Sequence, residues 1–174
     1  MRYPAAAKLL AEWDWRGRCV FLKRDLAKVF GESGKTLDQT LRRLIAAGLL
    51  ERVAHGVYVY ALSAHLGVSA LEEVALALRR GEFVFESYES ALSQWGRISQ
   101  VPVDRITLAT TGREGVFRTR FGVIEFTHTA AGAAEIATNT VARPGRVIPI
   151  ATEAYALSGL RRTGRNLDLV DQGV

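Results

Sequence analysis

The chain is poor in the residue types that metal sites and disulfide frameworks require. Its 174 residues include one cysteine, Cys19, and three histidines, His55, His65 and His128. A single cysteine excludes an internal disulfide framework and fits a reducing compartment, so we expect a cytoplasmic protein. Zinc sites need clustered Cys and His ligands, whereas these histidines are scattered singly. The sequence therefore predicts no metal site and no cofactor.

Long apolar runs and catalytic motifs are also missing. The stretch 57–71, which contains no Asp, Glu, Lys or Arg, is too short and too polar to span a bilayer. The sequence contains neither a G-x-S-x-G nucleophile elbow nor a Walker-type phosphate loop. A nuclease-like carboxylate pair at Asp104 and Glu125 lacks a following lysine, and Glu86 and Glu89 have the spacing of solvated helix carboxylates. We therefore predict no membrane association and no enzymatic activity.

The most informative pattern in the chain lies in residues 22–60. This segment reads LKRDLAKVFGESGKTLDQTLRRLIAAGLLERVAHGVYVY. It predicts a short helix over 23–30, a turn over 31–34, a second helix over 35–47 and two strands joined by a tight turn at Gly56. A winged helix-turn-helix has this order of elements and inserts its second helix into the major groove of DNA.

The second helix of this segment has an apolar stripe and a cationic face. Four apolar residues recur at helical spacing and are expected to point inward: Leu37, Leu41, Leu44 and Ile45. The opposite face has three cations, two neutral hydrogen-bonding residues and no carboxylate: Lys35, Thr36, Gln39, Arg42 and Arg43. Arg and Lys suit phosphates and guanine edges, and Gln suits adenine edges. We expect these five residues to contact DNA; the alternative is a solvated helix face.

The wing and the distribution of charge support a DNA-binding function. Arg52 and His55 lie near the predicted tip of the wing and are expected to touch the DNA backbone or the minor groove. For His55 the alternative is an exposed turn residue without a role. Residues 1–60 hold 11 Lys and Arg against 6 Asp and Glu, whereas residues 61–174 hold 12 of each. Positive charge concentrated in a DNA reader is physically sensible, because phosphate neutralisation supplies much of the affinity for DNA.

The chain is predicted to be an α+β protein of two domains, a winged helix-turn-helix over 1–65 and a small mixed domain over 66–174. The second domain alternates helices and strands irregularly. Its predicted helices cover 71–80, 87–95 and 153–162, and its predicted strands cover 83–85, 105–109, 115–120, 123–127 and 147–151.

The second domain has two candidate functional sites, a ligand pocket and a protein-binding surface. A ligand-sensing domain would contain a small apolar pocket, which Phe83 and Trp95 are placed to line. A protein-binding domain would expose Tyr88 and Trp95 on a helix, and Arg118 and Arg120 on a hairpin. The alternatives are core packing for Trp95 and a solvated strand face for the two arginines.

Four segments combine into a pattern that covers nearly the whole chain. They read DLAKVFG, LRRLIAAGLLERVAHGVYVY, ESYESALSQWGRISQVPVDRITLAT and GVFRTRFGVIEFTHT. The residues that carry the pattern include Ser87, Ser90, Ala91, Leu92, Gly96, Val101-Pro102-Val103 and the run from Ile150 to Ala156. This combination resembles the abortive-infection AbiEi family of type IV antitoxins.

The resemblance implies a bacterial antitoxin that acts in phage defence by abortive infection. It implies that the winged helix binds inverted repeats in the promoter of its own operon and represses transcription. It also implies that the C-terminal domain counteracts a nucleotidyltransferase-like toxin, for which type IV systems do not require direct contact. A homodimer and cooperative monomers both fit inverted repeats. The alternative function is a ligand-sensing winged-helix regulator without a toxin partner.

Overall fold

The first of two compact units in the chain is a winged helix-turn-helix. The computed structural model describes residues 1–67, 69–99, 104–164 and 166–170, and the chain divides into units Met1–Leu78 and Arg79–Val174. The elements of the first unit are α1 (Tyr3–Trp15), β1 (Val20–Leu22), α2 (Lys23–Phe30), α3 (Gly34–Ala46), β2 (Leu50–Ala54), β3 (Val57–Tyr60) and α4 (Ala70–Leu78). The strands form an antiparallel sheet in the order β1-β3-β2. The predicted fold class is confirmed.

The helix-turn-helix is built by local sequence features. Helix α2 lacks a Ser, Thr, Asp or Asn cap, and Asp25 in its first turn accepts a hydrogen bond from the Leu22 N–H at 2.9 Å instead. Gly31 ends α2 with φ at 62°, a left-handed conformation that glycine adopts without strain. These two devices fix the start and the end of α2, so the turn into α3 is short.

Helix α3 buries one apolar stripe, with one difference from the prediction. Leu37, Leu41 and Leu44 are each 2% exposed, whereas Ile45, which we expected to point inward, is 36% exposed. At about 100° per residue, Ile45 lies at the edge of the stripe. Thr40 lies at the opposite edge and is fully buried. The stripe of α3 is therefore narrower than the hydrophobic pattern indicates.

Helix α4 belongs to the first unit. It packs on β1 and β3, and the Cys19 thiol donates a weak hydrogen bond to Glu73 Oε2 at 3.5 Å. The units consequently divide after Leu78, later in the chain than the predicted boundary after residue 65. With α4 included, the first unit has 11 Lys and Arg against 8 Asp and Glu, and the second has 12 against 10. The excess charge is therefore +3 and +2, not +5 and zero.

The second unit contains a mixed six-stranded sheet in the order β6-β7-β5-β4-β9-β8. Its elements are β4 (Val84–Glu86), α5 (Tyr88–Gln94), β5 (Arg105–Thr110), β6 (Gly115–Thr119), β7 (Gly122–His128), α6 (Ala133–Asn139), β8 (Thr140–Val141), β9 (Ile150–Ala151), α7 (Glu153–Thr163) and a 3-10 turn (Leu167–Leu169). β5 runs parallel to β7, and β4 runs parallel to β9. Helices α5 and α7 pack together. The core between these helices and the sheet includes Phe85, Leu92, Ala109, Ile150 and Leu160.

Short elements of the second unit differ most from the prediction. α6 and β8 were not predicted, and the strand predicted over 147–151 is reduced to Ile150–Ala151. Phe83, expected in a buried strand, precedes β4 and is 51% exposed. A two-residue strand forms because a neighbouring strand pairs with it, and that neighbour cannot be read from local sequence. The Val101-Pro102-Val103 segment lies outside the described residues.

The lengths and polarity of the helices can be compared with the requirements of a membrane span. In the described parts of the chain, none is long and apolar enough to cross a membrane.

Candidate nucleic-acid interface

The polar face of α3 is open to solvent at all five predicted DNA-contact positions. Lys35, Thr36, Gln39, Arg42 and Arg43 are exposed. Within the described residues, the side chains of Lys35, Thr36 and Gln39 make no hydrogen bond or ion pair. These three side chains are thus available to a ligand without first breaking an interaction inside the protein.

The two arginines of α3 are oriented by the protein itself. Arg43 Nη2 donates to Thr40 Oγ1 at 3.1 Å and to the Met1 carbonyl oxygen at 3.3 Å. Arg42 Nε donates to the Asp38 carbonyl oxygen at 3.3 Å. A guanidinium carries five N–H donors, so each arginine keeps donors for a phosphate or a base edge. Because these bonds restrict the side chains before any ligand arrives, they reduce the entropy that binding has to remove.

The wing places its two predicted contact residues beside each other. Arg52 Nη2 lies 3.0 Å from His55 Nδ1, and both residues are exposed. Since an arginine can only donate, Nδ1 accepts and the ring proton sits on Nε2 in the neutral imidazole. The β2–β3 pairing shifts register between Arg52 and Ala54, and Gly56 has φ at 71° in the turn. This bulge and turn direct Arg52 and His55 to the tip of the wing.

The start of α2 joins the wing to α3 and adds cations that the sequence reasoning missed. The Lys23 N–H donates to the Gly56 carbonyl oxygen at 2.9 Å, and Lys23 Nζ lies 2.5 Å from Asp38 Oδ1 on α3. Arg24 follows on the same first turn and is exposed. The sequence contained a signal for this, because Lys23 and Arg24 stand at the start of the helix that precedes the predicted reading helix. Cations in that position lie near an anion that the reading helix binds. The positive end of the α2 dipole adds to their charge.

Asp38 is a carboxylate beside this surface, and Asp25 in the first turn of α2 is another, paired with Arg18 at 2.7 Å. The side chains of Asp38 and Lys23 are each 45% exposed, so water screens their ion pair and it adds little stability. We call the surface formed by the exposed face of α3, the start of α2 and the wing tip the cationic surface. Exposed lysine and arginine side chains dominate it. Such a surface suits polyanions that present phosphates and base edges.

A second set of ionisable residues fixes the segment that leaves the wing. Asp14 accepts hydrogen bonds from the Ser63 hydroxyl, from the Ala64 N–H at 3.3 Å and from His65 Nδ1 at 3.1 Å. Burial acts to raise the pKa of Asp14, but these hydrogen bonds outweigh it and hold the pKa below its ordinary value. Asp14 thereby ties the chain after β3 to the end of α1.

The pKa values of the buried Cys19 thiol and of its partner, the Glu73 carboxyl, are shifted upward, in contrast to that of Asp14. Burial raises the pKa of Cys19 to about 11, and burial also raises the pKa of Glu73. Burial disfavours the charged form of each group, because an ion loses hydration when it is removed from water. Cys19 is fully buried and protonated at neutral pH, as expected of a small core residue and not of a reactive thiol.

The carboxylates of the second unit are engaged by cations and amides. Glu86 is 3% exposed and forms an ion pair with Arg143, and Glu89 is 6% exposed and accepts a bond from Asn166 Nδ2 at 2.8 Å. The prediction that Glu86 and Glu89 are solvated is therefore wrong, because Glu86 lies on the central strand β4 and Glu89 at the buried start of α5. Glu125 accepts from Arg105 Nη1 at 2.8 Å. The described residues contain no group of three His, Cys, Asp or Glu able to hold a metal ion.

A half-open cleft of about 410 Å³ lies in the second unit. Its walls include Tyr88, His128, Glu135 and Arg162 and the loop over 129–131. The Tyr155 hydroxyl donates to Glu135 at 2.7 Å, and burial followed by this carboxylate raises the pKa of Tyr155 to about 12. The cleft brings a cation, Arg162, and a carboxylate, Glu135, together.

The residues expected to line a pocket or to form a protein contact lie elsewhere. Neither Phe83 nor Trp95 lines this cleft. Trp95 is 42% exposed, and its indole N–H donates to the Ala151 carbonyl oxygen at 2.9 Å. Tyr88 is only 5% exposed, so the expectation of an exposed tyrosine is wrong; its ring packs against Gly159, where an added Cβ would lie 3.3 Å from Tyr88 Cε1. Arg118 and Arg120 are exposed as expected.

Comparisons with known proteins agree with the architecture of the first unit. Residues 9–61 match the sequence profile of a family described as "Transcriptional regulator, AbiEi antitoxin". No curated protein matches the chain. The crystal structure of the RV2827C protein from Mycobacterium tuberculosis is similar, with a TM-score of 0.60 and 17% identity over 92% of this chain and 61% of that one. The chain thus spans about three fifths of the length of that protein, and the likeness shows a shared fold. Over residues 9–61, which contain the helix-turn-helix and the wing, the chain matches the AbiEi antitoxin family of transcriptional regulators, as its sequence predicts.

Proposed function

We propose that this protein is an antitoxin and transcriptional autorepressor of a type IV toxin–antitoxin operon. In this function it binds inverted repeats in its own promoter and counteracts a nucleotidyltransferase-like toxin. The observation that carries the proposal is the cationic surface on a winged helix whose sequence matches regulators of the AbiEi family. The cations at the start of α2 extend that surface toward the wing.

The proposed DNA contacts follow from the geometry of the reader. An α-helix fits the major groove, so the exposed face of α3 would enter it with Lys35 and Gln39 toward base edges. Arg43 reads a base edge beside them, and Thr36 and Arg42 bind flanking phosphates. Other backbone contacts come from the wing and the start of α2: Arg52, His55, Lys23 and Arg24.

The antitoxin activity is assigned to residues from 66 onward. Helix α4 packs on the winged helix, so the division of labour is tested with units that keep α4 attached to the first unit. Because type IV antitoxins need not touch the toxin, rescue from toxicity and DNA binding are separate activities. A homodimer and cooperative monomers are both compatible with repeated half-sites.

The DNA-binding part of the proposal is tested on the native promoter by fluorescence anisotropy. The variant carries Lys35→Ala, Gln39→Ala and Arg43→Ala together, and the removal of each base-reading side chain should weaken the binding free energy by about 1–3 kcal/mol. The matched control carries Arg113→Ala and Arg161→Ala, which remove two exposed cations from the second unit. Equal affinity of the triple variant and the wild type would show that α3 is not the reading helix.

The antitoxin part is tested by growth rescue during expression of the toxin encoded beside the protein. We expect the full chain to rescue growth, residues 1–78 to bind the promoter without rescue, and residues 79–174 to carry rescue. Toxin expressed from an unrelated promoter removes the effect of repression. Full rescue by residues 1–78 under that promoter would contradict this division of labour.

The cleft of the second unit favours a second function, that of a ligand-sensing winged-helix regulator without a toxin partner. Its volume of about 410 Å³ suits a small ligand, and Arg162 and Glu135 offer charges of both signs. In that case a small molecule would release the protein from promoter DNA, and the full chain would not rescue growth from the adjacent gene product. Rescue without any such release favours the antitoxin.

A further inference from the structure

Strand β6 forms an open edge of the second sheet. It is the terminal strand in the order β6-β7-β5-β4-β9-β8, and among the described residues no strand pairs with its outer side. It pairs antiparallel with β7, where Arg118 lies opposite Val123. The Val123 N–H donates to the Asp104 carbonyl oxygen, on the β5 side of β7. At this pair the backbone groups of Arg118 therefore point outward, and by alternation those of Val116 do as well.

Aromatic contacts hold the β6 strand on one face of the sheet. Phe117 packs edge-on against Phe126 with ring centroids 5.8 Å apart, and the Arg79 guanidinium lies 5.1 Å and 4.2 Å from these two rings. Val116 and Arg118 point to the opposite face, where Val116 is 55% exposed and Arg118 is exposed. The strand thus presents ordered backbone donors and acceptors together with an apolar and a cationic side chain.

The charge on this edge selects the kind of strand that can pair with it. Arg118 and Arg120 are exposed on the hairpin and Arg113 precedes it, with Glu114 as the one carboxylate between residues 113 and 120. Glu125, opposite Val116, is engaged by Arg105 at 2.8 Å. A second copy of β6 would gather two sets of Arg113, Arg118 and Arg120 along one edge against two copies of Glu114, and like charges close together destabilise a strand pair. The complementary partner carries carboxylates.

We propose that the β6 edge binds an extended, acid-rich segment of a partner protein, which adds a strand to the sheet. Backbone hydrogen bonds at Val116 and Arg118 supply the pairing, and Arg118 and Arg120 select carboxylates on the added strand. The inference rests on the proposed function only in assigning protein contact to the second unit. It does not depend on DNA binding, because none of these residues belongs to the winged helix.

The experiment uses the full chain labelled with nitrogen-15 and a synthetic nine-residue peptide that alternates valine and glutamate. We expect saturable amide shifts and slower amide exchange at Val116 and Arg118, with binding weakened by salt because it is charge-assisted. A peptide with lysine in place of glutamate is the charge-reversed control. Absence of shifts with the acidic peptide, or equal shifts with the lysine peptide, overturns the proposal.

Two variants separate backbone pairing from general charge attraction. Val116→Pro removes one outward N–H while keeping the pairing with β7, and Arg118→Glu reverses a charge on the edge. Each should weaken peptide binding by about tenfold or more. Arg161→Glu on α7 makes the same change of net charge and should leave peptide binding intact. An equal decrease in affinity for all three variants points to nonspecific attraction and overturns the proposal.

A nucleic acid is the competing ligand for exposed arginines. A random-sequence DNA duplex should shift amides of the winged helix and leave Val116 and Arg118 unchanged. Shifts at β6 with the duplex and none with the acidic peptide would overturn the inference. Promoter affinity of the β6 variants is measured in parallel, and weaker promoter binding by the triple α3 variant is a separate result. Failure of the edge proposal is thus distinguishable from failure of the proposed function.

Discussion

The two units of this protein use polar side chains in opposite ways. The winged helix exposes its cations on α3, whereas the second unit buries a polar network at the junction of α5 and β5. In that network Ser87, Ser90 and Thr107 are 2%, 6% and 3% exposed. The Ser90 N–H donates to Thr107 Oγ1 at 3.0 Å, the Thr107 N–H donates to Ser90 Oγ at 3.1 Å, and Thr107 Oγ1 donates to the Ser87 carbonyl oxygen at 2.8 Å.

The buried network has a structural consequence that the exposed face lacks. Tyr88 lies inside it with φ at 55°, an unusual backbone conformation for a bulky residue. Such a conformation persists when neighbouring bonds over-determine it, and the bonds of Ser87 and Ser90 to Thr107 do so on both sides of Tyr88. The difference between the units teaches that polar residues on α3 are free to act on a ligand, whereas those of α5 hold the fold.

The largest effect is expected where the buried network is broken. Thr107→Val removes the hydroxyl that bonds Ser87 and Ser90, so a buried polar group of each residue loses one partner. The Ser87 carbonyl oxygen keeps the Ala91 N–H at 3.4 Å, whereas the Ser90 N–H loses its acceptor. We expect the free energy of unfolding of the second unit to fall by roughly 1–3 kcal/mol, the cost of one buried group left without a partner. Urea denaturation measures it, with the exposed Thr138→Val as control. A decrease no larger than that of the control would show that the network is not needed for stability.

A smaller effect, on binding and not on folding, is expected on the exposed face. Arg42→Ala should reduce the slope of log affinity against log salt on promoter DNA by about 0.9, the contribution of one phosphate contact. Its stability should stay within about 0.5 kcal/mol of the wild type, because the residue is exposed and away from the core. Anisotropy titrations between low and moderate salt measure the slope. An unchanged slope would remove Arg42 from the phosphate contacts and weaken the contrast between the units.

The smallest effect concerns the half-buried carboxyl of Glu73, which lies on α4 beside the Cys19 thiol. Because the pKa of Glu73 is raised in the folded state, the folded state binds its proton more tightly than the unfolded state does. Stability of the first unit therefore declines as pH rises from the ordinary value of 4.5 through the raised pKa, and the penalty then remains constant. Glu73→Gln should remove this decline and raise the Tm by a few degrees at pH 7, with little change below pH 4.5.

The matched control for this measurement is Glu12→Gln on the exposed side of α1. It removes one carboxylate from the same unit without touching the Cys19 thiol. Thermal unfolding of both variants and the wild type is followed at the two pH values. A Tm for Glu73→Gln that falls at pH 7 would show that the ionised carboxylate stabilises the docking of α4.

The winged helix could be predicted because the residues that specify its helices, turns and strands are close together in the sequence. Gly31 and Gly56 mark turns, the leucine spacing marks α3, and the β-branched and aromatic run Val57–Tyr60 marks a strand. The exposure of Lys35 and Gln39 follows from the same helical period. The cations at the start of α2 needed the structure, because their proximity to the wing depends on the bond between Lys23 and Gly56.

The second unit was less readable because its elements depend on partners distant in sequence. The hairpin β6–β7 has its turn nearby and was predicted. β8 and β9 are two residues each and exist through pairing with each other and with β4. Tyr88, expected at the surface, is buried because Gly159, far along the chain, leaves room for its ring. No periodicity within α5 contains that information.

The sequence by itself determined the winged helix and the cationic face of α3, because helical period, turn glycines and the sign of charge act over a few residues. Tertiary structure alone decided three other features: the attachment of α4 to the first unit, the burial of Glu86 and Glu89, and the open edge of β6. Each depends on which segments distant in sequence meet, and burial and desolvation act only after they meet. The same charged residue is therefore solvated or buried according to its neighbours in space.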